Sequence, residues 1–247
     1  MIVAAAVCPP APLLVPGLAD RLAATTPELA AACLAAVKSL GDADGLLMIS
    51  AGRPGGGGAV YPPGTTVSAA GLFRSDRAVL EAVTLPGDAH GLPAGEPGDG
   101  PADVSVGTAV GASLISVAGI ATPVTAQEVD PSNPARLAAP DGRISVLVLA
   151  DGAACHGEHA PGAPDPRSGP FDADLVAALR SGRPEVLADA CDRLAELAPA
   201  LRADALPALA AFADLAARQA RGPAVAEVLH YSAPFGVGYP VAVWQWP

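Results

Sequence analysis

The sequence predicts a single α/β domain with a central, mostly parallel or mixed sheet and helices on both of its faces. Continuous apolar runs rich in Val, Leu and Ile recur along the chain, the clearest over residues 144–150. Such runs are typical of strands that are buried on both faces of a sheet. Helical patterns alternate with them, as in α/β proteins. The length of 247 residues, 51% of them hydrophobic, suits one large domain, which we place over 1–247.

Six apolar segments are predicted strands of that sheet. They run over residues 2–8, 45–50, 122–129, 144–150, 225–231 and 241–246. The prolines at Pro9 and Pro10 end the first strand, because proline cannot continue a central ladder. The Asp151-Gly152 pair is a turn signal that ends the fourth.

Helical patterns with recognisable ends fill the connections between these strands. They cover about 26–41, 104–118, 172–182, 184–197 and 204–222. Thr26, Asp172 and Asp204 precede apolar periodic runs and are predicted N-caps. Glycine or a glycine pair follows several of the runs and ends them.

Two segments rich in glycine and proline are predicted loops. Residues 86–103 combine Pro, Gly and acidic residues and are expected to form a mobile surface excursion. Residues 55–58 are a glycine run after the second strand. A phosphate-binding loop would need Gly-Lys-Ser/Thr at the start of a helix, and this run has neither, so a flexible loop is the favoured interpretation.

Composition restricts the partners of the protein. The formal net charge is −11, and no basic cluster offsets it, so nucleic-acid binding is not expected. The uncharged stretch 104–127 is long enough for a bilayer, but glycines and Pro123 interrupt it. A buried helix followed by a buried strand explains it better than a membrane span.

Cysteine usage suggests the compartment. The four cysteines are widely spaced and form no Cys-x-x-Cys pair. This pattern predicts a reduced, cytoplasmic protein. The sequence leaves the oligomeric state open, and a homo-oligomer remains one of the alternatives.

The richest cluster of reactive side chains follows the strand predicted at 144–150. Asp151, His156, Glu158 and His159 lie within nine residues. In open α/β sheets, ligands bind just outside the carboxyl ends of the strands. Asp151 and His156 are therefore the candidate catalytic residues, although Asp151 could instead cap the turn after its strand.

The same cluster has a metal-binding interpretation. His156, Glu158 and His159 would be the ligands if the loop folded back on itself. The segment is rich in Gly and Pro and is not helical, so it lacks the geometry of a zinc-protease helix. Two surface histidines on a loop are the favoured interpretation.

Three blocks of sequence carry a resemblance to a known family. Residues 8–16, CPPAPLLVP, resemble a CPHPPLLVP signature. Residues 150–154, ADGAA, followed by APG at 160–162 and DPR at 165–167, resemble a GDGSA…APG…DPR block. Residues 231–239, YSAPFGVGY, resemble an APYGVGY ending. On these blocks the chain resembles the class III extradiol ring-cleavage dioxygenases, and most of all an actinobacterial branch of them.

The resemblance implies an iron site that this sequence does not reproduce. In the family, two His and one Glu hold Fe(II), with open positions for a catechol and O₂, and a further His acts as acid and base. The first iron His would fall at Pro10 and the second near Ala51. The acid-base His would fall near Ala154, two residues from His156. The Glu ligand has no clear counterpart, since Glu227 is the only acid near the carboxyl end.

Several functions are therefore compatible with the sequence. The first is a catalytically degenerate relative of these dioxygenases, with no cofactor expected. The second is an active oxidoreductase that cleaves aromatic rings with rearranged ligands and uses Fe(II). The third is a module that binds a small aromatic molecule or a protein partner in the old cleft, and the fourth is a hydrolase built on the loop 156–159. In each of them we expect Pro10, Ala51 and Asp151 to line one cleft, because each follows the end of a buried strand.

Overall fold

The computed structural model of the protein describes residues 1–16, 24–53, 58–68, 82–87, 101–130, 137 and 141–247. These residues form a mixed α/β fold with a seven-stranded central sheet, a small three-stranded sheet and six helices. The predicted fold class is confirmed.

Ten strands occur in the described part of the chain. They are β1 (Ile2–Cys8), β2 (Gly45–Ala51), β3 (Ala59–Tyr61), β4 (Thr66–Ser68), β5 (Val83–Thr84), β6 (Ala102–Asp103), β7 (Val124–Val129), β8 (Ile144–Leu149), β9 (Val225–Ser232) and β10 (Tyr239–Gln245). The helices are α1 (Pro27–Lys38), α2 (Val106–Ala118), α3 (Ser168–Ser181), α4 (Pro184–Leu194), α5 (Ala198–Leu201) and α6 (Leu206–Ala217).

The central sheet has the strand order β3-β7-β2-β8-β1-β10-β9. Its four middle strands, β7, β2, β8 and β1, are parallel, whereas β3, β10 and β9 pair antiparallel. All six predicted strands belong to this sheet. The short strand β3 and the small sheet of β5, β4 and β6 were not predicted. The carboxyl ends of the four parallel strands meet at one edge of the sheet, which we call the strand-end edge.

Helices cover both faces, because the strands alternate their side chains between two apolar cores. In β8, Val146 and Val148 face the core that includes α3, α4 and α6. Leu147 and Leu149 face the opposite core, with α1 and α2. This alternation follows from the two-residue repeat of a strand that is buried on both sides.

The structure corrects two predicted helix starts. Helix α3 begins at Ser168 rather than after Asp172, and α6 begins at Leu206 rather than after Asp204. For α3 the cause is Asp165, which forms a turn with Arg167: its Oδ1 accepts from the Arg167 amide at 2.9 Å. Its carbonyl accepts from the Ser168 amide at 3.1 Å. Asp172 therefore lies inside the helix, where its side chain is free for tertiary contacts.

Some predicted features fall on residues outside the described ranges. Of the loop predicted at 86–103, residues 88–100 lie outside them, and Ala102–Asp103 form β6. Three glycines of the run 55–58 also lie outside them. In the described part of the chain, no helix is long and apolar enough to cross a membrane. All four cysteines are free thiols.

Helix α2 approaches the sheet closely at Gly111, which yields a test of the packing. A Cβ at this position would overlap Met48 Sδ of β2 and Leu149 Cδ2 of β8. Gly111→Ala should therefore destabilise the protein by about 1–3 kcal/mol, although alanine favours a helix. Gly169→Ala is the matched control, because no atom lies within 4 Å of a Cβ built at that helical position. Urea unfolding of both variants measures the difference, and equal stabilities would contradict this packing.

Candidate functional site

A cleft of about 770 Å³ opens at the strand-end edge of the central sheet. Pro10, Ala51 and Asp151, which follow or end β1, β2 and β8, all line it. The prediction that these three residues share one cleft is confirmed. The first residues of α2 form a second side, and the segment from Cys191 to Ala210 forms the third.

The wall opposite the strand ends is mainly apolar. It consists of small side chains of α4, α5 and α6, chiefly Ala, Pro and Leu between residues 195 and 210. Small side chains leave room for a flat or bulky ligand body, and the apolar surface favours one that leaves water. The shape and lining of the cleft therefore suit a small organic molecule.

Charged side chains line the rest of the cleft. Three of them are the carboxylates Asp151, Asp192 and Asp204, and two are the guanidinium groups of Arg53 and Arg202. Asp192 and Asp204 are exposed, whereas Asp151 is partly buried. Asp204 reaches the cleft because α6 starts two residues later than it.

Both arginines are already engaged by the protein. Arg53 Nη2 donates to Asp103 Oδ1 at 2.9 Å and to the Val104 carbonyl at 3.4 Å. Arg202 Nη1 donates to the Pro161 carbonyl at 2.7 Å. Arg202 is also the one described non-glycine residue with a positive φ, at 54°. The carboxylates are thus the less satisfied charges of the cleft.

Asp151 is the electrostatically most perturbed group in the cleft. Burial raises its pKa to about 7, and the negative charges of Asp204 and Asp172 raise it further, while its own backbone amide acts in the opposite direction. A carboxyl group that titrates near neutrality can both donate and accept a proton under physiological conditions. The sequence-based choice of Asp151 therefore agrees with its position and its electrostatics.

A buried polar network fixes the side of the cleft formed by α2. Glu128 Oε1 accepts from the Ser105 amide at 2.6 Å and from Thr108 Oγ1 at 2.7 Å. Ser50 Oγ contacts Thr108 Oγ1 at 2.8 Å. The carboxylate compensates the free amides and the positive end of the α2 dipole. Sequence reasoning missed this network, although a Glu inside the apolar strand at 122–129 was a visible signal.

Asp172 organises the neighbouring loops. Its side chain is buried, and three donors surround it. Its Oδ1 accepts from the Ala153 amide at 2.7 Å. Its Oδ2 accepts from Tyr231 Oη at 2.8 Å and contacts His156 Nε2 at 2.6 Å. One carboxylate thereby joins α3 to the loop after β8 and to the end of β9.

Two glycines make room for this carboxylate. A Cβ at Gly152 or at Gly238 would overlap the Asp172 carboxyl group. The same glycines link the loop after β8 to the turn between β9 and β10: the Gly152 amide donates to the Gly238 carbonyl at 2.8 Å, and the Gly238 amide donates to the Ala153 carbonyl at 2.9 Å. These contacts hold the segment that follows Asp151.

Asp172 was assigned to the wrong role from the sequence, although the signal was present. With Leu175, Val176 and Leu179 it lies at helical positions i, i+3, i+4 and i+7, which share one face. All four residues are buried. A carboxylate on such a face needs buried partners. Those partners come from distant segments, which the local pattern cannot identify.

The loop histidines do not form the metal site considered from the sequence. His156 turns inward to Asp172 and does not line the cleft, while Glu158 and His159 are exposed. Among the described residues, no group of three or more His, Cys, Asp or Glu side chains could hold a metal ion. The contact with Asp172 makes His156 part of the support of the loop rather than of the cleft.

The cleft residues also do not fit the iron site that the resemblance implies. Pro10 and Ala51 line the cleft at the two positions where the iron histidines would fall, and neither carries a donor atom in its side chain. Ala154 is buried at the position of the acid-base histidine, and Glu227 is exposed on β9 outside the cleft. Fe(II) in such sites requires two imidazoles and a carboxylate, which this cleft does not supply.

Comparison with known proteins adds no assignment, since no family model and no curated protein matches the chain. The resemblance to the dioxygenases remains a prediction from the sequence. The function is best inferred from the cleft itself.

The raised pKa of Asp151 makes a prediction about stability. Between the pKa of an unfolded Asp and about 7, the folded protein binds more protons than the unfolded chain, so stability should fall as the pH rises through this window. Asp151→Asn removes the ionisation. We expect it to be more stable than the wild type at pH 8, by about 1–3 kcal/mol, with little difference near pH 4.

Thermal and urea unfolding at both pH values would measure this effect. Asp189→Asn, which removes one negative charge at an exposed position of α4, is the matched control and should show no such pH-dependent gain. If Asp151→Asn were destabilising at pH 8, the carboxylate would have a stabilising partner that contradicts our description.

The hydrogen bonds of Asp172 make a second prediction. Tyr231→Phe removes the hydroxyl that donates to its buried carboxylate and should destabilise the protein by about 1–2 kcal/mol, as for bonds to charged groups. Tyr239→Phe is the control, because the Tyr239 hydroxyl has no hydrogen bond within the described part of the chain. Equal unfolding free energies of the two variants would show that the Asp172–Tyr231 bond contributes nothing.

Proposed function

We propose that the protein binds a small aromatic molecule in the cleft at the strand-end edge, as a dioxygenase-like protein that has lost the iron chemistry of its family. One observation carries the proposal. Pro10, Ala51 and Asp151 converge on one cleft, which keeps the position of a family site and lacks its donor atoms.

The dimensions of the cleft support ligand binding. Its volume of about 770 Å³ lies within the range of small-molecule sites, about 300–1,000 Å³. One wall is apolar, and a few charged groups lie opposite. Such a combination lets an aromatic ring leave water while one polar group fixes its orientation.

The chemistry of the lining argues against retained iron catalysis. Its acidic ligands are carboxylates, of which Asp192 and Asp204 are exposed. Carboxylates and water are the ligands of hard ions, whereas an Fe(II) oxygenase site requires imidazole nitrogens. Without them the cleft would not hold Fe(II) at cellular concentrations.

A second candidate function is acid-base catalysis without a metal. The observation that favours it is the pKa of about 7 of Asp151 inside the cleft. In its neutral form this carboxyl group would donate a proton to a bound ligand, and in its ionised form it would accept one. His156 does not share this role, because it lies outside the cleft and is bound to Asp172.

The proposed function can be tested with tag-free protein, a cleft-filling variant and a matched control. Ala195→Trp places a large ring in the cleft from an exposed position. Ala177→Trp introduces the same ring at an exposed position of α3, away from the cleft. A panel of catechol, phenol, benzyl alcohol and benzylamine would be screened by calorimetry, together with metal analysis of the purified protein.

We expect at least one of these compounds to bind the wild type and the Ala177→Trp variant equally. Its affinity for Ala195→Trp should be at least tenfold lower, because the ring occupies the ligand volume. Iron should be substoichiometric, and catechol should remain intact. Stoichiometric iron with cleavage of catechol would contradict the proposal, and so would the absence of binding across the panel.

A further inference from the structure

The charges around the cleft define the chemical class of its ligand more narrowly. We infer that the cleft binds an aromatic or arylalkyl amine in its cationic form, with the ammonium group held by Asp151. This inference rests on the proposed function and identifies the kind of molecule that the same cleft accepts.

The first argument is the charge balance. Three carboxylates line the cleft, and of the two guanidinium groups Arg53 is already paired with Asp103. The lining together with Asp103 therefore carries four negative charges against two positive ones when all are ionised. The chain as a whole has a formal net charge of −11, which attracts cations to the surface and repels anions.

The second argument is the state of Asp151. Among the described residues, its carboxyl group has no hydrogen bond or ion pair with another side chain, and only its own backbone amide lies close. Asp172, in contrast, has three donors. A carboxylate that is removed from water without donors is unstable unless a partner arrives. An ammonium group would supply both the opposite charge and the donors.

The third argument compares the possible ligand charges. A carboxylate ligand would meet the repulsion of Asp151, Asp192 and Asp204 at once. A neutral alcohol or phenol could form one hydrogen bond with Asp151 but would leave the excess charge uncompensated. Only a cation relieves the desolvation of Asp151 and the mutual repulsion of the carboxylates together.

The fourth argument concerns the body of the ligand. Opposite Asp151, residues 195–210 form an apolar wall of small side chains. A bare inorganic cation or a short alkylammonium ion would leave this wall in contact with water. An aromatic ring attached to the ammonium group by one or two carbons would cover it, and burial of that surface would add to the affinity.

Proton linkage gives this inference a distinctive signature. The ammonium group binds the ionised form of Asp151, so a protonated Asp151 must release its proton when the ligand binds. With a pKa of about 7 for the free protein, the affinity should fall by about tenfold from pH 8 to pH 6. At pH 7, binding should release about half a proton per ligand. Asp204 and Asp172, the carboxylates that act on Asp151, and Tyr239, whose pKa is raised to about 12, complete the titratable groups around it.

The experiment uses isothermal titration calorimetry of the full-length protein with benzylamine, benzyl alcohol and benzoate. These probes share the ring and differ in charge, and benzylamine stays cationic throughout the range used. Titrations at pH 6, 7 and 8, in two buffers of different ionisation enthalpy, give the affinity and the number of protons released. The variants are Asp151→Asn and, as a control of equal charge change outside the cleft, Asp189→Asn.

We expect benzylamine to bind at least tenfold more tightly than benzyl alcohol at pH 8, with benzoate weakest. Asp151→Asn should remove this preference and the proton release, while Asp189→Asn should retain both. A folded Asp151→Asn variant that still binds benzyl alcohol would establish that the loss comes from the charge rather than from misfolding.

Other outcomes would overturn the inference and are distinguishable. If benzyl alcohol or benzoate bound as tightly as benzylamine, and Ala195→Trp abolished that binding, the proposed cleft would stand and the amine preference would be wrong. If benzylamine bound with no proton release and no dependence on Asp151, the assigned contact would be wrong. If none of the three probes bound at any pH, both the inference and the proposed function would fail.

Discussion

The buried carboxylate of Asp172 is the contact on which the arrangement of the strand-end edge depends. It accepts hydrogen bonds from the Ala153 amide and from Tyr231, and it contacts His156. Removing such a charge from water is unfavourable unless several donors surround it. The three donors come from the loop after β8 and from β9, so the requirement of one side chain joins segments that are far apart in the sequence.

The cleft inherits its geometry from this contact. Asp151 precedes the segment that Asp172 holds, and the direction of the loop is fixed by Gly152 and Gly238, which leave no space for a Cβ beside the carboxylate. The supporting carboxylate is fully hydrogen-bonded, whereas the carboxylate in the cleft is not. This contrast is typical of a stable scaffold that carries an electrostatically unsatisfied site, and such sites are where ligands bind or react.

The sequence predicted the parts of the structure that depend on local pattern. The six strands follow from apolar runs, and the shared cleft of Pro10, Ala51 and Asp151 follows from the rule that parallel strands end at the same edge. The role of Asp172 could not be predicted, because its position near a helix start looked like a cap, and its true partners are 16 to 59 residues away. The network of Glu128 with Ser105 is likewise a contact between segments distant in the sequence. The small sheet was missed because its strands are only two or three residues long and have no periodicity to recognise.

The central structural claim is that one carboxylate couples the loop after β8 to the turn between β9 and β10. Hydrogen exchange of Asp172→Asn, compared with the wild type by mass spectrometry, tests this claim most directly. We predict that amides of residues 152–165 and 233–238 lose protection together, while those of β1 and α1 keep theirs, because only the first two segments depend on Asp172. Unchanged protection of both segments, or loss in one of them alone, would contradict the account.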